Sequence, residues 1–182
     1  MIHLHCTKKL LAKLPLRDDG RIQTKTPEPD LAKTTAVSPI DHWHANFILL
    51  QRRQSVLFVH DATRFPVLIP ALKKADFSNL ELHFADGFMN TLLKCDAGEQ
   101  VLNRAEMALA PFCCDSICSR SVQGTMNQMT QMLDATLEYK RISIMDLGPY
   151  STSAWLAETP CNVKGVKGPL WPIQKMLELL NF

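Results

Sequence analysis

The residues best suited to chemistry stand between positions 42 and 70, where histidines, an aspartate and arginines interrupt apolar runs. His42 and His44 are two residues apart, so both side chains leave the same face of an extended strand. His60 and Asp61 end the next apolar run and are expected nearby. Imidazoles and a carboxylate are ligands of zinc and are also common general acids and bases in enzymes.

Two chemical uses of these residues compete with an ordinary structural one. Metal binding is not expected, because no known metal-ligand spacing is present, and no cofactor is indicated. Acid–base chemistry in a small hydrolase or nuclease would use His44, His60 and Asp61, with Arg53 or Arg64 binding a phosphate. In the structural alternative the histidines are polar-face residues or donate to backbone carbonyls.

Cysteines are the second group of candidate ligands. Cys113, Cys114 and Cys118 give the spacing C-C-x3-C, which supplies one half of a zinc site, but no second half follows. We therefore expect small buried side chains here. The six cysteines are spread over the whole chain, which favours free thiols over a disulfide framework.

Two further features are candidates for binding an anionic partner. The segment Arg120–Asn127 has the pattern of a turn that leads into a helix N-terminus near Thr125, where backbone N–H groups attract anions, although an ordinary capped helix start is the simpler explanation. A basic patch beside the strands would suit nucleic acid, but a pI near 8.2 is low for that class. The candidate binding residues are Arg52, Lys73, Lys74, Arg120 and Asn127.

Hydrophobic alternation predicts the strands that carry the candidate histidines. Apolar side chains recur on one parity over Trp43–Leu49, which indicates a strand with one buried face. Polar breaks separate it from two runs rich in β-branched and aromatic residues. Connections this short allow only antiparallel neighbours, so residues 42–70 are predicted to form a three-stranded meander. Pro66 and Pro70 cannot donate to a ladder, which makes the third strand an edge.

The remainder of the chain predicts another strand and a series of helices. Ile2–Cys6 alternates as a first strand, and Ile142–Leu147 is a further strand candidate. The strongest helix covers about residues 79–95, and its Gly87 is explained by close packing on the sheet. Further helices are predicted at about 8–14, 98–110, 125–139 and 149–156, and from 172 onward. The fold class is therefore α+β: a small, mostly antiparallel sheet, formed by the meander and the N-terminal strand, covered by four or five helices.

Length and composition limit the class of protein. The chain has 182 residues, enough for a single domain over 1–182, and its polar segment at about 17–40 is expected to be mobile. No apolar run reaches the ~18 residues that span a bilayer. The first residues lack the order of a signal peptide, since the lysines follow the apolar segment. We expect a cytoplasmic protein that does not enter a membrane.

Charge is unevenly distributed along the chain. Residues 1–75 hold 12 Lys and Arg against 6 Asp and Glu, whereas residues 76–119 hold 2 against 7. Opposed basic and acidic surfaces favour an acidic partner or a homo-oligomer. Two ordinary solvated faces explain the same counts.

Four segments of the sequence resemble one family, in order along the chain. They are MIHLHCTKKLL, WHANFILLQRRQSVLFVHDATRFPVLIP, RSVQGTMNQM and PCNVKG. Together they resemble a bacterial family known only as a domain of unknown function, over nearly the whole chain except residues 17–40. The resemblance implies a stand-alone bacterial cytoplasmic protein of one domain. It implies no activity, cofactor or catalytic residue.

The sequence favours a non-enzymatic binding or regulatory module that contacts protein or nucleic acid, because no set of residues has specific catalytic spacing. The alternative is the small hydrolase or nuclease described above. Convergence of its five residues in one pocket would favour the enzyme, and their dispersal would favour the binding module. These residues are His44, His60, Asp61, Arg53 and Arg64.

Overall fold

One mixed sheet organises the molecule. The computed structural model describes residues 1–24, 38–163, 165 and 167–181. The strands are β1 (Ile2–Cys6), β2 (His42–Leu50), β3 (Arg53–His60), β4 (Pro66–Ile69) and β5 (Phe112–Asp115). They are hydrogen-bonded in the order β4-β3-β2-β1-β5.

Six α-helices in the described ranges pack on the two faces of this sheet. They are α1 (Lys8–Leu11), α2 (Leu80–Lys94), α3 (Glu99–Ala108), α4 (Arg120–Lys140), α5 (Pro149–Glu158) and α6 (Pro172–Asn181). Two 3₁₀ helices, Lys74–Asn79 and Ile144–Asp146, lie in the connections. None of the helices in these ranges combines the length and the apolar character that crossing a membrane requires.

The predicted meander is confirmed. β2 pairs antiparallel with β3, and β3 pairs antiparallel with β4. The β2–β3 loop consists of Gln51 (φ 47°) and Arg52 (φ 65°), and two positive φ values are typical of a type I′ hairpin turn. This tight loop sets a register in which Trp43 lies opposite His60. His44, the next residue along, must therefore project from the other face.

The predicted N-terminal strand is also confirmed, and it lies between β2 and β5, parallel to both. Its register places His3 opposite His42 and His5 opposite His44. On the other side His5 lies opposite Asp115. The sheet thus combines two antiparallel pairings with two parallel ones, and the parallel pairings bring together residues that are far apart in the sequence.

Side-chain alternation divides the apolar core between the two faces. The larger cluster lies under α2, α3 and α6 and contains Trp43, Phe58 and Phe84, all almost inaccessible to solvent. The smaller cluster lies under α4 and contains Leu57 and Leu133. Full burial of such a side chain contributes roughly 1.5–3 kcal/mol, so helix packing stabilises both faces. The polar residues at the start of β1 and β2 share the α4 face with the smaller cluster.

β4 is an edge strand, as its prolines predict. Helix α5 covers that edge: Ser153 Oγ accepts a hydrogen bond from Leu68 N at 2.9 Å and donates one to Pro149 O at 2.9 Å. A side chain that satisfies the edge amide removes a donor that a second strand would use.

The predicted long helix is confirmed as α2, together with the reason for its glycine. A Cβ atom on Gly87 would come within 2.8 Å of Ile69 Cδ1 and of Val67 Cγ1. Glycine therefore allows α2 to approach β4 more closely than any other residue would.

Two predicted elements are corrected by the structure. Residues 142–147 do not form a strand: a 3₁₀ helix over Ile144–Asp146 replaces it, because Gln51 satisfies the backbone there through Ile142 O and Ile144 N. Helix α4 begins at Arg120 and not near Thr125. The predicted turn over 120–127 is therefore the first two turns of a helix.

Part of the segment predicted to be mobile lies outside the described residues, namely 25–37. Its described flanks contact the rest of the fold. Cys114 N donates to Gly20 O at 2.9 Å, and Ser38 Oγ donates to Ala108 O at 2.9 Å. The mobility of residues 25–37 stays a prediction, as does the single domain.

Candidate acid–base site

A row of imidazole rings crosses the first residues of β1 and β2. The ring of His42 stacks on His3 with centroids 5.1 Å apart, and it lies parallel to the ring of His5 with centroids 5.3 Å apart. His44 follows, 4.8 Å from His5. The row forms because both strands place histidines at alternate positions and pair in a register that sets them side by side. We call His3, His5, His42 and His44 the histidine row.

Part of the histidine row belongs to a hydrogen-bonded chain, which we call the Asp115–His5–His42 relay. Asp115 Oδ1 lies 2.8 Å from His5 Nδ1, and His5 Nε2 lies 3.0 Å from His42 Nδ1. An ionised carboxylate only accepts, so His5 Nδ1 donates to Asp115, and His5 Nε2 accepts from His42 Nδ1. This leaves a lone pair on His42 Nε2, and the His42 side chain is 49% exposed. The relay therefore ends in a proton acceptor at the surface.

Carboxylates lie at both ends of the relay. Asp115 is fixed by a second donor, Ile117 N, at 2.7 Å from its Oδ1. Asp41 Oδ2 lies 3.8 Å from His42 Nε2. The exposed end of the relay therefore has a carboxylate beside it.

A second carboxylate–imidazole pair includes the last member of the histidine row, His44. Asp61 Oδ1 lies 2.9 Å from His44 Nε2. Burial lowers the pKa of His44, and the hydrogen bond to Asp61 acts in the opposite direction. Donation from Nε2 to the carboxylate leaves His44 Nδ1 as an acceptor, and no described group donates to it.

Arg64 packs beside this pair and is 7% exposed. Its Nη2 donates to Ser121 Oγ, 3.3 Å away in the first turn of α4. Burial lowers the pKa of Arg64 and the charge of Asp61 raises it. A guanidinium stays protonated in proteins, so this positive charge is buried with a single described hydrogen-bond acceptor.

The site draws on three of the segments that carry the family resemblance, through His5, His44 and Ser121. A family model described as a domain of unknown function (DUF6933) matches residues 3–175. The chain belongs to this family. No curated protein and no solved structure matches it. The DUF6933 description assigns no activity.

In this DUF6933 chain the five predicted catalytic residues do not converge. Asp61 and Arg64 lie beside His44, as the sequence suggested. Arg53 begins β3 whereas His60 ends it. Seven residues of extended strand separate them by roughly 23 Å. Arg53 therefore cannot act with the histidine row.

His60 lies on the opposite face of the sheet from His44. Its ring packs edge-on against Trp43 with centroids 5.1 Å apart, and its Nδ1 lies 2.9 Å from Thr63 Oγ1. Burial lowers the pKa of His60 to about 4. These contacts correspond to the structural alternative, in which the histidine satisfies a local polar group.

The predicted binding residues separate into two places. Leu72 N donates to Gln54 O at 2.7 Å, which brings the segment after β4 to the β2–β3 hairpin. The cations gathered there are exposed and form no ion pair with a described residue; they are Arg52, Arg53, Lys73 and Lys74. Arg120 and Asn127 are exposed on the first two turns of α4, the helix whose Ser121 accepts from Arg64.

All six cysteines are free thiols. Cys114 is buried in the larger apolar cluster, as expected, whereas Cys118 is half-buried with its Sγ 3.7 Å from His5 O. Within the described ranges, no three residues among His, Cys, Asp and Glu are arranged to hold a metal ion.

Sequence reasoning missed His3, His5 and Asp115. A local signal was present for the two histidines, because they alternate with Ile2 and Leu4 as His42 and His44 alternate with apolar neighbours. The parallel pairing that joins β1 to β2 and β5 has no comparable local signal.

Proposed function

We propose that the chain is a hydrolase in which the Asp115–His5–His42 relay supplies the general base. The observation that supports this function is the half-exposed His42 at the end of two hydrogen bonds of 3.0 Å or less. A positioned imidazole contributes roughly 10²–10⁴-fold to a hydrolytic rate. The function therefore rests on residues that differ from most of those expected from the sequence.

In the proposed step, water transfers a proton to His42 Nε2 while its oxygen attacks the electrophilic atom of an ester. The bond from that atom to the leaving oxygen breaks, and the leaving oxygen takes the proton back from His42. His5 is a positioning residue that holds the His42 ring through Nδ1–H. Asp115 fixes the tautomer of His5 and stabilises the transient positive charge.

The test compares two exposed histidines of the same row. Wild type, His42→Gln and His3→Gln are assayed with p-nitrophenyl acetate, p-nitrophenyl phosphate and bis-p-nitrophenyl phosphate. We expect wild type to hydrolyse at least one ester and His42→Gln to lose about 10²-fold or more in kcat/KM. His3→Gln should keep the wild-type rate, because His3 stacks on His42 without a place in the relay.

The variant Asp115→Asn tests whether His5, held in one tautomer by Asp115, positions His42. The amide offers an NH₂ group to His5 Nδ1, so the opposite tautomer is favoured and the pH–rate profile should change together with the rate. Equal rates for His42→Gln and His3→Gln, or no turnover of the three esters by wild type, would contradict the proposed function.

A second candidate function is binding of an acidic partner by the cations at the β2–β3 hairpin. The supporting observation is the clustering of Arg52, Arg53, Lys73 and Lys74 without described ion pairs. Anisotropy of a labelled single-stranded RNA over a salt series tests it, with Lys73→Gln/Lys74→Gln against the exposed control Lys8→Gln/Lys9→Gln. The hairpin variant should bind more weakly, with a salt slope reduced by about 1 per lost phosphate contact. Equal affinity of both variants and wild type would reject this interface.

A further inference from the structure

The described buried side-chain atoms that lack a hydrogen-bond partner all belong to two neighbouring residues. They are His44 Nδ1, Arg64 Nε and Arg64 Nη1. His44 is 2% exposed and Arg64 is 7% exposed, so solvent does not satisfy these atoms. An unpaired buried polar group costs roughly 1–3 kcal/mol, and more when it is charged. Buried polar atoms without a hydrogen-bond partner in the protein are best explained where a ligand supplies that partner.

The unpaired atoms of Arg64 cost more free energy than that of His44, because the guanidinium is charged. Asp61 interacts with it electrostatically but is hydrogen-bonded to His44, and no described carboxylate lies within 4.0 Å of the guanidinium. A buried cation is costly unless an anion lies against it. The pair Asp61–His44 therefore leaves Arg64 available to a second anion.

The first turn of α4, next to Arg64, also lacks a negatively charged partner. Ser121, which accepts from Arg64 Nη2, is the second residue of this 21-residue helix. The N-cap Ser119 makes no side-chain cap hydrogen bond, and the first turn holds no acidic residue. Backbone N–H groups at a helix N-terminus carry partial positive charge and bind anions. Because Ser121 is exposed, the guanidinium lies directly beneath the surface.

We propose that Arg64, Ser121 and the first turn of α4 bind an anionic group of the phosphate class on the substrate. The inference rests on the proposed function, because it names the kind of substrate on which the relay acts. A phosphoryl oxygen accepts from the guanidinium and from the helix N–H groups, and its charge neutralises Arg64. His44 lies 4.8 Å from His5 of the relay and interacts electrostatically with Arg64, so the subsite is on the same side of the sheet as the histidine row.

Inorganic phosphate is the probe. Thermal unfolding is followed at increasing phosphate concentration, with ionic strength held constant by chloride. A ligand that binds only the folded state raises Tm with its concentration. We expect this rise for wild type and for Arg53→Gln, an exposed arginine at the far end of β3. Arg64→Gln should lose the phosphate-dependent rise.

Ser121→Asp tests the subsite without removing a buried side chain. Its carboxylate would pair with Arg64 and suit the helix N-terminus, so Tm without phosphate should rise and the phosphate response should disappear. A wild-type Tm no more sensitive to phosphate than to chloride overturns the inference. A full phosphate response in Arg64→Gln or in Ser121→Asp does the same.

The two proposals fail separately. His42→Gln should keep the phosphate response, because His42 is not part of the subsite. Phosphate binding without hydrolysis of any ester would reject the hydrolase and retain the anion subsite. Hydrolysis of p-nitrophenyl acetate without a phosphate response would retain the hydrolase and reject the subsite.

Discussion

His60 illustrates how burial determines the charge of a single residue. Its pKa is lowered from 6.5 to about 4, mainly because burial disfavours the imidazolium. Between these pH values the unfolded chain binds a proton that the folded chain does not. The free energy of unfolding should therefore fall as pH drops through this range, by up to about 3 kcal/mol, and the contribution should be constant below it.

Urea unfolding of wild type and His60→Gln at several pH values between 7 and 4 checks this expectation. The glutamine amide retains a hydrogen bond to Thr63 but does not titrate. Carboxylates contribute equally to both proteins, so they cancel in the difference. Wild type should be the more stable protein at neutral pH, and its advantage should shrink as the pH is lowered. A constant difference would show that His60 titrates alike in the folded and unfolded states.

At the residue level, strand periodicity was sufficient for part of the site. It placed His42 and His44 on one face and Asp61 beside them. It failed for His60, because the pairing across the hairpin was not followed: a loop of four residues or of two pairs His60 with an odd-numbered residue of β2, on the face opposite His44. His5 and Asp115 meet through a parallel pairing across 110 positions of sequence, for which no local pattern exists.

Two glycines inside helices should respond oppositely to the same substitution. Gly87→Ala in α2 brings a Cβ atom to 2.8 Å from Val67 Cγ1 and Ile69 Cδ1, and β-branched Val67 has little freedom to move away. Overpacking costs about 1–3 kcal/mol, which exceeds the gain of ~1 kcal/mol in helix propensity. Gly124→Ala in α4 meets nothing within 4 Å, so the propensity gain remains.

Chemical unfolding of both glycine variants measures the difference. We expect Gly87→Ala to be less stable than wild type and Gly124→Ala to be more stable by up to about 1 kcal/mol. Since both changes add one methyl group within a helix, propensity alone predicts the same sign for both. Stabilisation by Gly87→Ala would mean that β4 yields to α2 without strain.

Helix boundaries were predicted correctly from the sequence where a proline marks the first turn. Pro149 and Pro172 begin α5 and α6 at the predicted places. The start of α4 was misplaced because Gly124 resembled a turn, and Thr125 with Gln128 resembled a capping box. Tertiary packing of Val122 in the smaller apolar cluster stabilises the extra turn, and propensity does not report that contact.

On the scale of the whole molecule, the two faces of one sheet contribute side chains to two different apolar clusters. Leu57 and Phe58 are neighbours on β3, yet each belongs to a different cluster. A strand that loses its packing on one face also loses support for its register on the other. The two clusters should therefore unfold together, as expected of a single domain over residues 1–182.

Leu133→Ala tests this coupling, because Leu133 is 1% exposed in the smaller cluster. The substitution should lower the free energy of unfolding by about 2–5 kcal/mol. With Trp155 and Trp171 replaced by phenylalanine, fluorescence reports Trp43 in the larger cluster, and far-UV circular dichroism reports the helices. The two transitions should coincide in urea. Leu93→Ala, at a position 53% exposed, should change little. If the helical signal of Leu133→Ala were lost before that of Trp43, α4 would be a separate unit that folds onto a sheet already formed.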